Sequence, residues 1–281
     1  MFTNIKKFVS NSFFMENIDT LAFVVLLMLL ISAVFASSDV MGLISLMFSF
    51  LILFKKIFSI KTAKFQFLSY EKIFFVYFLI VTLSLCASSL FSLSLHGYIK
   101  TLIYVLFFYC VSDFFKENAN KFSYIIYLVI GLMSYESIIA IIQNLGGVVE
   151  ISGWQDMTNI NPEQVVSRAY GTLLPYNPNL LAGYLLCGLG CFVYAILTNL
   201  KDGKKRLSLI FLALFLMNLI AIIDTGCRGA YLGFLFFFPI LFIALVYYVH
   251  KNFGGLNNIK KRYKNLLEEQ LDEVEKLDIE H

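Results

Sequence analysis

Arg228 lies in the stretch TGCRGA, residues 225–230, between the apolar runs LSLIFLALFLMNLIAII and YLGFLFFFPILFIALVYYV. On insertion scales an arginine costs about 2.5–3.5 kcal/mol at a membrane helix centre, and less near an interface. Its planar fork makes bidentate contacts to phosphate oxygens and does not lose its charge, so anion binding is the chemistry this placement suggests. A second arginine, Arg168, opens RAYGTLLPYNPNLLAGYL, residues 168–185. Here Gly171 permits a tight turn, and Asn177-Pro178-Asn179 breaks the chain before the next apolar run. Asn179 or Asn177 can cap that helix by accepting from its free N–H groups. Structural readings stand beside the chemical ones. Asp224 is four residues before Arg228, so the two can pair across one turn if helix runs through Gly226. Arg168 can equally be a snorkelling headgroup contact, and the asparagines a cap plus a turn.

Other polar residues carry less. Glu136 interrupts the run MSYESII, where a buried carboxylate is a functional candidate, with an interhelical hydrogen bond as the plain alternative. His96 sits alone in a Ser-rich connection, and His250 and His281 lie near or in the C-terminal tail. Five cysteines (Cys86, Cys110, Cys187, Cys191 and Cys227) fall in or beside apolar runs and read as small hydrophobes rather than as a disulfide framework. Cys187 and Cys191 share a helix face, but no His or carboxylate flanks them, so packing is favoured over a metal. No Walker motif, zinc spacing, carboxylate dyad or nucleophile elbow appears, and neither a metal nor a cofactor is expected.

The elements that position these residues are membrane spans. The chain of 281 residues is 59% hydrophobic and 15% charged, against about 25% charged for soluble domains. Mean hydropathy is +0.78. This composition excludes a soluble enzyme or a nucleic-acid binder and points to an all-α polytopic integral membrane protein in a lipid bilayer. Eight apolar segments are marked, at about 21–36, 40–57, 73–91, 99–115, 122–142, 180–199, 206–224 and 229–249, each near the roughly 20 residues that cross a bilayer. The first resembles a signal peptide, but only SSD separates it from the second, so an uncleaved hairpin is expected.

Basic residues alternate along the connections. Lys55, Lys56, Lys61, Lys64 and Lys72 flank one loop, Lys116 and Lys121 another, and Lys201, Lys204, Lys205 and Arg206 a third, while Lys251, Lys260, Lys261, Arg262 and Lys264 lie in the tail. The intervening connections are poor in Lys and Arg. By the positive-inside rule both termini are cytoplasmic, and loop 143–179 and the TGCRGA turn face outward. Residues 1–249 then form the transmembrane domain. Residues 250–281 form a cytoplasmic tail whose YKNLLEEQLDEVEKL segment has amphipathic helical spacing. Loop 143–179 holds Trp154 and three of the four prolines. Its NPEQVV segment, from Asn161 and Pro162, predicts a short interfacial helix.

RAYGTLLPYNPNLLAGYL, followed by DTGCRGAYLGF, resembles the O-antigen ligase / O-antigen polymerase family of bacterial envelope enzymes. The matching residues are Arg168, Gly171, Thr172, Asn177, Pro178, Asn179 and Ala182, then Thr225, Cys227, Arg228, Gly229 and Ala230. The resemblance implies a metal-independent membrane glycosyltransferase of surface polysaccharide biosynthesis. It would act on undecaprenyl-pyrophosphate-linked glycans at the outward face of the cytoplasmic (inner) membrane. Arg228 would stabilise the leaving pyrophosphate. Arg168, Asn177 and Asn179 would bind it with Arg228, and Asp224, Thr225, Gly229 and Gly171 would support the site. Cys227 stands where the family usually has Ser. Members usually continue with further spans and an outward loop carrying an essential His, so the resemblance covers the N-terminal two-thirds of a member. The expectation is a truncated chain, or one with a downstream partner, that binds the lipid pyrophosphate but transfers glycan poorly. The alternative is a non-catalytic binder or transporter-like subunit for lipid-linked glycans.

Overall fold

The computed structural model describes residues 9–10, 12–59, 69–147 and 168–253. Among these residues there is no strand, and seven helical segments, with Pro178–Lys201 counted as one, are long and apolar enough to cross a membrane, with a shorter apolar helix beside them. The protein is an all-α, multi-pass membrane protein. In chain order the helices are α1 (Phe13–Phe35), α2 (Ser38–Phe58), α3 (Ser69–Cys86), α4 (Phe91–Glu117), α5 (Phe122–Leu145), α6 (Pro178–Cys187), α7 (Leu189–Lys201), α8 (Lys205–Asp224) and α9 (Arg228–Phe253). A 3-10 turn, Ala119–Lys121, joins α4 to α5. The chain forms two compact units, Met1–Cys227 and Arg228–His281. The NPEQVV segment, Trp154 and the tail beyond Phe253 lie outside the described residues.

Within the first unit, α1, α2 and α4 share one core. Ile18, Ala22, Val25, Leu26 and Leu29 of α1 meet Phe48, Leu51 and Ile52 of α2, with Cys110 and Phe114 of α4. The ring of Phe48 is edge-on to both Phe107 and Phe114, a geometry that the ring quadrupole favours. The Cys110 thiol is buried and donates to the Ser49 carbonyl, as the packing reading of the cysteines requires. Cys187, by contrast, is exposed.

One end of this core is ionic. Lys55 bridges Asp19 and Glu117 at 2.8 and 2.6 Å, and Lys56 pairs with Asp113 at 2.9 Å. Lys121 donates to the Asp19 carbonyl and stands over the rings of Phe23 and Phe114. Three lysines, two on α2 and one on α4, therefore meet carboxylates at one end, Lys116 through Asp113, and Lys121 before α5 joins them there. Two of the basic connections marked in the sequence thus converge. From Lys121 to Gln143, α5 rises about 33 Å at 1.5 Å per residue, close to the roughly 30 Å of a hydrocarbon core. Gln143 and the residues bonded to it therefore lie at the end of α5 opposite the lysines.

The sixth segment, expected as one span, is broken at Gly188 into α6 and α7. Asn218 of α8 supplies a reason. It is fully buried, its Nδ2 donates to the Leu185 carbonyl at 3.2 Å, and its Oδ1 accepts from Ser137 of α5 at 3.0 Å. A side-chain amide thus satisfies a carbonyl where the helix ladder stops, as a break inside a membrane requires.

Candidate functional site

α5, the stretch 168–179 and the end of α8 meet around Arg168. The last turn of α5 presents Gln143 and Asn144. The Gln143 Oε1 accepts from the backbone N–H groups of Tyr170 and Gly171 at 3.0 and 2.9 Å, and its Nε2 donates to the Gly171 carbonyl at 3.2 Å. Two turns earlier on α5, Glu136 is fully buried and accepts from both the N–H and the hydroxyl of Thr172. Among the described residues no cation lies within ion-pair distance of this carboxylate, so the Thr172 donors are what satisfies it.

This clamp explains Gly171. Its φ is +66°, the left-handed region, and a Cβ there would run into the Glu136 carboxylate and the Leu181 side chain. Only glycine meets both demands. The tight turn read from the sequence is there, and so is a close approach that the sequence did not announce.

Asn177 is the N-cap of α6. Its Oδ1 accepts from the Asn179 N–H at 2.8 Å, and Pro178 follows at the first helical position. The cap left open between two asparagines therefore belongs to Asn177, which frees the Asn179 side chain. Its Oδ1 accepts from Arg168 Nη2 at 2.9 Å.

At the end of α8 the chain turns rather than continuing as helix. Thr225 caps the helix with its N–H directed to Ala221 and Ile222 and its hydroxyl to the Ile222 carbonyl. Gly226 then takes a φ of +59°. The helical turn that would pair Asp224 with Arg228 is absent for this reason. Asp224 is engaged elsewhere, its Oδ1 accepting from Asn144 Nδ2 at 2.9 Å and its carbonyl from the Ala169 N–H at 3.0 Å. The Thr225 carbonyl accepts from Arg168 Nε at 2.8 Å. A Cβ on Gly226 would stand 3.3 Å from that Nε, so the glycine leaves the guanidinium room.

Arg168, half-buried, is thus held by two nitrogen atoms between the C-terminal end of α8 and the N-terminal end of α6. A helix C-terminus carries partial negative charge and favours a cation beside it. The guanidinium has five N–H donors in all, and a helix N-terminus close by favours an anion. The arrangement presents a fixed positive group at one end of the membrane bundle.

The structure brings together Arg168, Gly171, Asn177, Asn179, Asp224 and Thr225 of the expected site residues. Arg228 and Gly229 are exposed and open α9, in the second unit. Sequence reasoning missed Gln143 and Asn144 as the residues that carry the 168–172 stretch and Asp224. The signal available was spacing: Glu136 and Gln143 are seven apart, two turns along one face of an otherwise apolar helix.

Comparison with protein families, with curated proteins and with solved structures gives no match.

Proposed function

We propose that the chain is a membrane glycosyltransferase resembling the O-antigen ligases and polymerases, and that it binds glycans linked to undecaprenyl pyrophosphate. One observation carries this reading most. Arg168 donates to the Thr225 carbonyl and the Ala169 N–H to the Asp224 carbonyl, so the two stretches of the resemblance are joined by direct hydrogen bonds. A lipid-linked pyrophosphate keeps its anion at headgroup depth and its tail in the bilayer. Arg168 at the end of a helix bundle, beside the capped start of α6, is a suitable receptor for that anion.

In the proposed reaction an acceptor hydroxyl attacks the anomeric carbon. A new glycosidic bond forms, the bond to the pyrophosphate oxygen breaks, and its electron pair leaves with the lipid pyrophosphate. The hydroxyl proton passes to a base. Negative charge grows on the leaving group, and a positioned arginine stabilises that state more than the ground state. Arg228 is assigned this role, and Arg168, Asn177 and Asn179 the binding of the pyrophosphate. The site is proposed to face outward from the inner membrane.

The test is binding of undecaprenyl pyrophosphate to the purified chain in nanodiscs. Removing one hydrogen bond to a charged group costs about 1.5–3 kcal/mol, or roughly 10- to 100-fold in affinity. Arg168→Ala and Arg228→Ala are each expected to weaken binding by that factor, and Arg168→Lys by less, since Lys keeps the point charge but not the fork. Unchanged affinity in both alanine variants overturns the reading. Glycan transfer that survives Arg228→Ala removes the role given to that residue.

A further inference from the structure

Between Arg168 and Asn179 the chain carries two tyrosines, Tyr170 and Tyr176, that the binding of a pyrophosphate does not call for. Their rings meet edge to face, with centroids 6.0 Å apart and planes at 76°. Tyr170 is anchored from behind, its N–H held by Gln143. Tyr176 is 50% exposed. Its backbone has a φ of +59°, and it is the one non-glycine residue with positive φ among the described residues. The turn is closed by its N–H donating to the Leu173 carbonyl at 2.6 Å. A bulky residue in the left-handed region is strained, and glycine or asparagine fills such a place at lower cost. Strain of this kind persists where the surroundings over-determine it, as at ligand clamps.

We propose that Tyr176, backed by Tyr170, is the sugar subsite of this site: an aromatic face for the pyranose ring attached to the pyrophosphate. This rests on the reading of Arg168 as a pyrophosphate ligand. The Tyr176 ring projects from the turn that ends at Asn177, the cap of α6, three residues before the Arg168 ligand Asn179. A sugar linked to a phosphate near Arg168 therefore has an aromatic surface within a few residues of its anion. The face of an aromatic ring is electron-rich and its body apolar. It matches the polarised C–H face of a pyranose while leaving the sugar hydroxyls to water. The edge-to-face partner, Tyr170, limits the rotation of the Tyr176 ring and reduces the ordering that binding would otherwise require.

The experiment compares two lipids in nanodiscs: undecaprenyl pyrophosphate, and undecaprenyl pyrophosphate carrying one N-acetylhexosamine. Tyr176→Gly suits the backbone angle and removes the ring. It is expected to fold, with a melting temperature equal to or above the parent's. It is also expected to weaken the glycosylated lipid by about two- to tenfold, the range for one aromatic pair, and to leave the bare pyrophosphate unchanged. Tyr176→Phe keeps the face and loses the hydroxyl, and is expected to bind both lipids as the parent does. Equal affinity of Tyr176→Gly and the parent for the glycosylated lipid overturns the subsite, as does an equal loss for both lipids. Weaker binding of the glycosylated lipid by Tyr176→Phe would assign the interaction to the hydroxyl and overturn the stacking. A parent protein that binds neither lipid removes the pyrophosphate reading and the subsite with it. A parent that binds both, with Arg168→Ala weakening both and Tyr176→Gly weakening neither, removes the subsite alone.

Discussion

Gly171→Ala separates two costs that glycine substitutions usually mix. A non-glycine residue in the left-handed region costs about 1–2 kcal/mol. Gly171 and Gly203 have φ angles of +66° and +73°, so this cost is common to both. They differ in what surrounds them. Nothing lies within 4 Å of a Cβ on Gly203, whereas a Cβ on Gly171 displaces the buried Glu136 carboxylate. Moving Glu136 strips two donors, the N–H and the hydroxyl of Thr172, of their acceptor. Each buried donor left unpaired costs about 1–3 kcal/mol. Gly171→Ala is therefore expected to destabilise by about 3–8 kcal/mol in total, against about 1–2 kcal/mol for Gly203→Ala. In melting temperature this is on the order of 10 °C against a few degrees. The assay is thermal unfolding in detergent, followed by a thiol-reactive fluorophore that reports exposure of the buried Cys110 and Cys227. The same pair of substitutions is then made in a Glu136→Ala background. With the carboxylate gone, the added cost of Gly171→Ala should fall toward that of Gly203→Ala, a coupling that a double-mutant cycle measures. Equal shifts for Gly171→Ala and Gly203→Ala in the parent protein would refute the clamp.

Asn218→Leu is expected to destabilise by about 1–3 kcal/mol, because it leaves the Ser137 hydroxyl and the Leu185 carbonyl unpaired in the bundle core; urea or SDS unfolding checks it, and an unchanged midpoint would contradict the role given to the amide at the α6–α7 break. For sidedness, a background lacking the exposed Cys86 and Cys187 should label with impermeant thiol reagents from outside at Thr158→Cys and not at Lys204→Cys. The reverse pattern would place the Arg168 end of the bundle inside.

The membrane class was legible because composition alone decides it. A chain this poor in charge and this rich in Phe and Leu has few ways to hide its apolar surface from water. The helices fall where the apolar runs predict, and the Asn177-Pro178 start of α6 was readable from cap chemistry. Two features were hidden for physical reasons. The division between α6 and α7 falls at Gly188, which reads equally well as helix interior, and the Asn218 amide that satisfies the Leu185 carbonyl comes from another helix. The turn after Asp224 depends on the positive φ of Gly226, and a glycine inside a possible four-residue ion-pair spacing reads equally well as helix. The site was half legible. Arg168 and Asn179 stood out as polar residues in an apolar context, but their direct bond needs the turn at Gly171. That turn is set by Glu136 and Gln143, some thirty residues earlier in the chain. Interactions of that separation are tertiary and leave only a faint trace in spacing.

The return of the chain to Gln143 has a consequence for how much the protein can vary. The chain leaves α5 at Leu145 and is bonded back to the same helix end at Tyr170 and Gly171. Leu145 at the end of α5 and the Tyr170–Gly171 stretch are therefore tied at one post. Closing such a loop costs only about 0.6 kcal/mol more for each doubling of its length. The tie is made by side chains of α5 and the backbone of Tyr170 and Gly171, so it is not set by the length of chain between them. A change in the length of that connection therefore shifts the closure entropy little, while the bonds of Gln143 to Tyr170 and Gly171 stay as they are. A protein built this way can vary the length of that connection without altering the membrane part that holds Arg168.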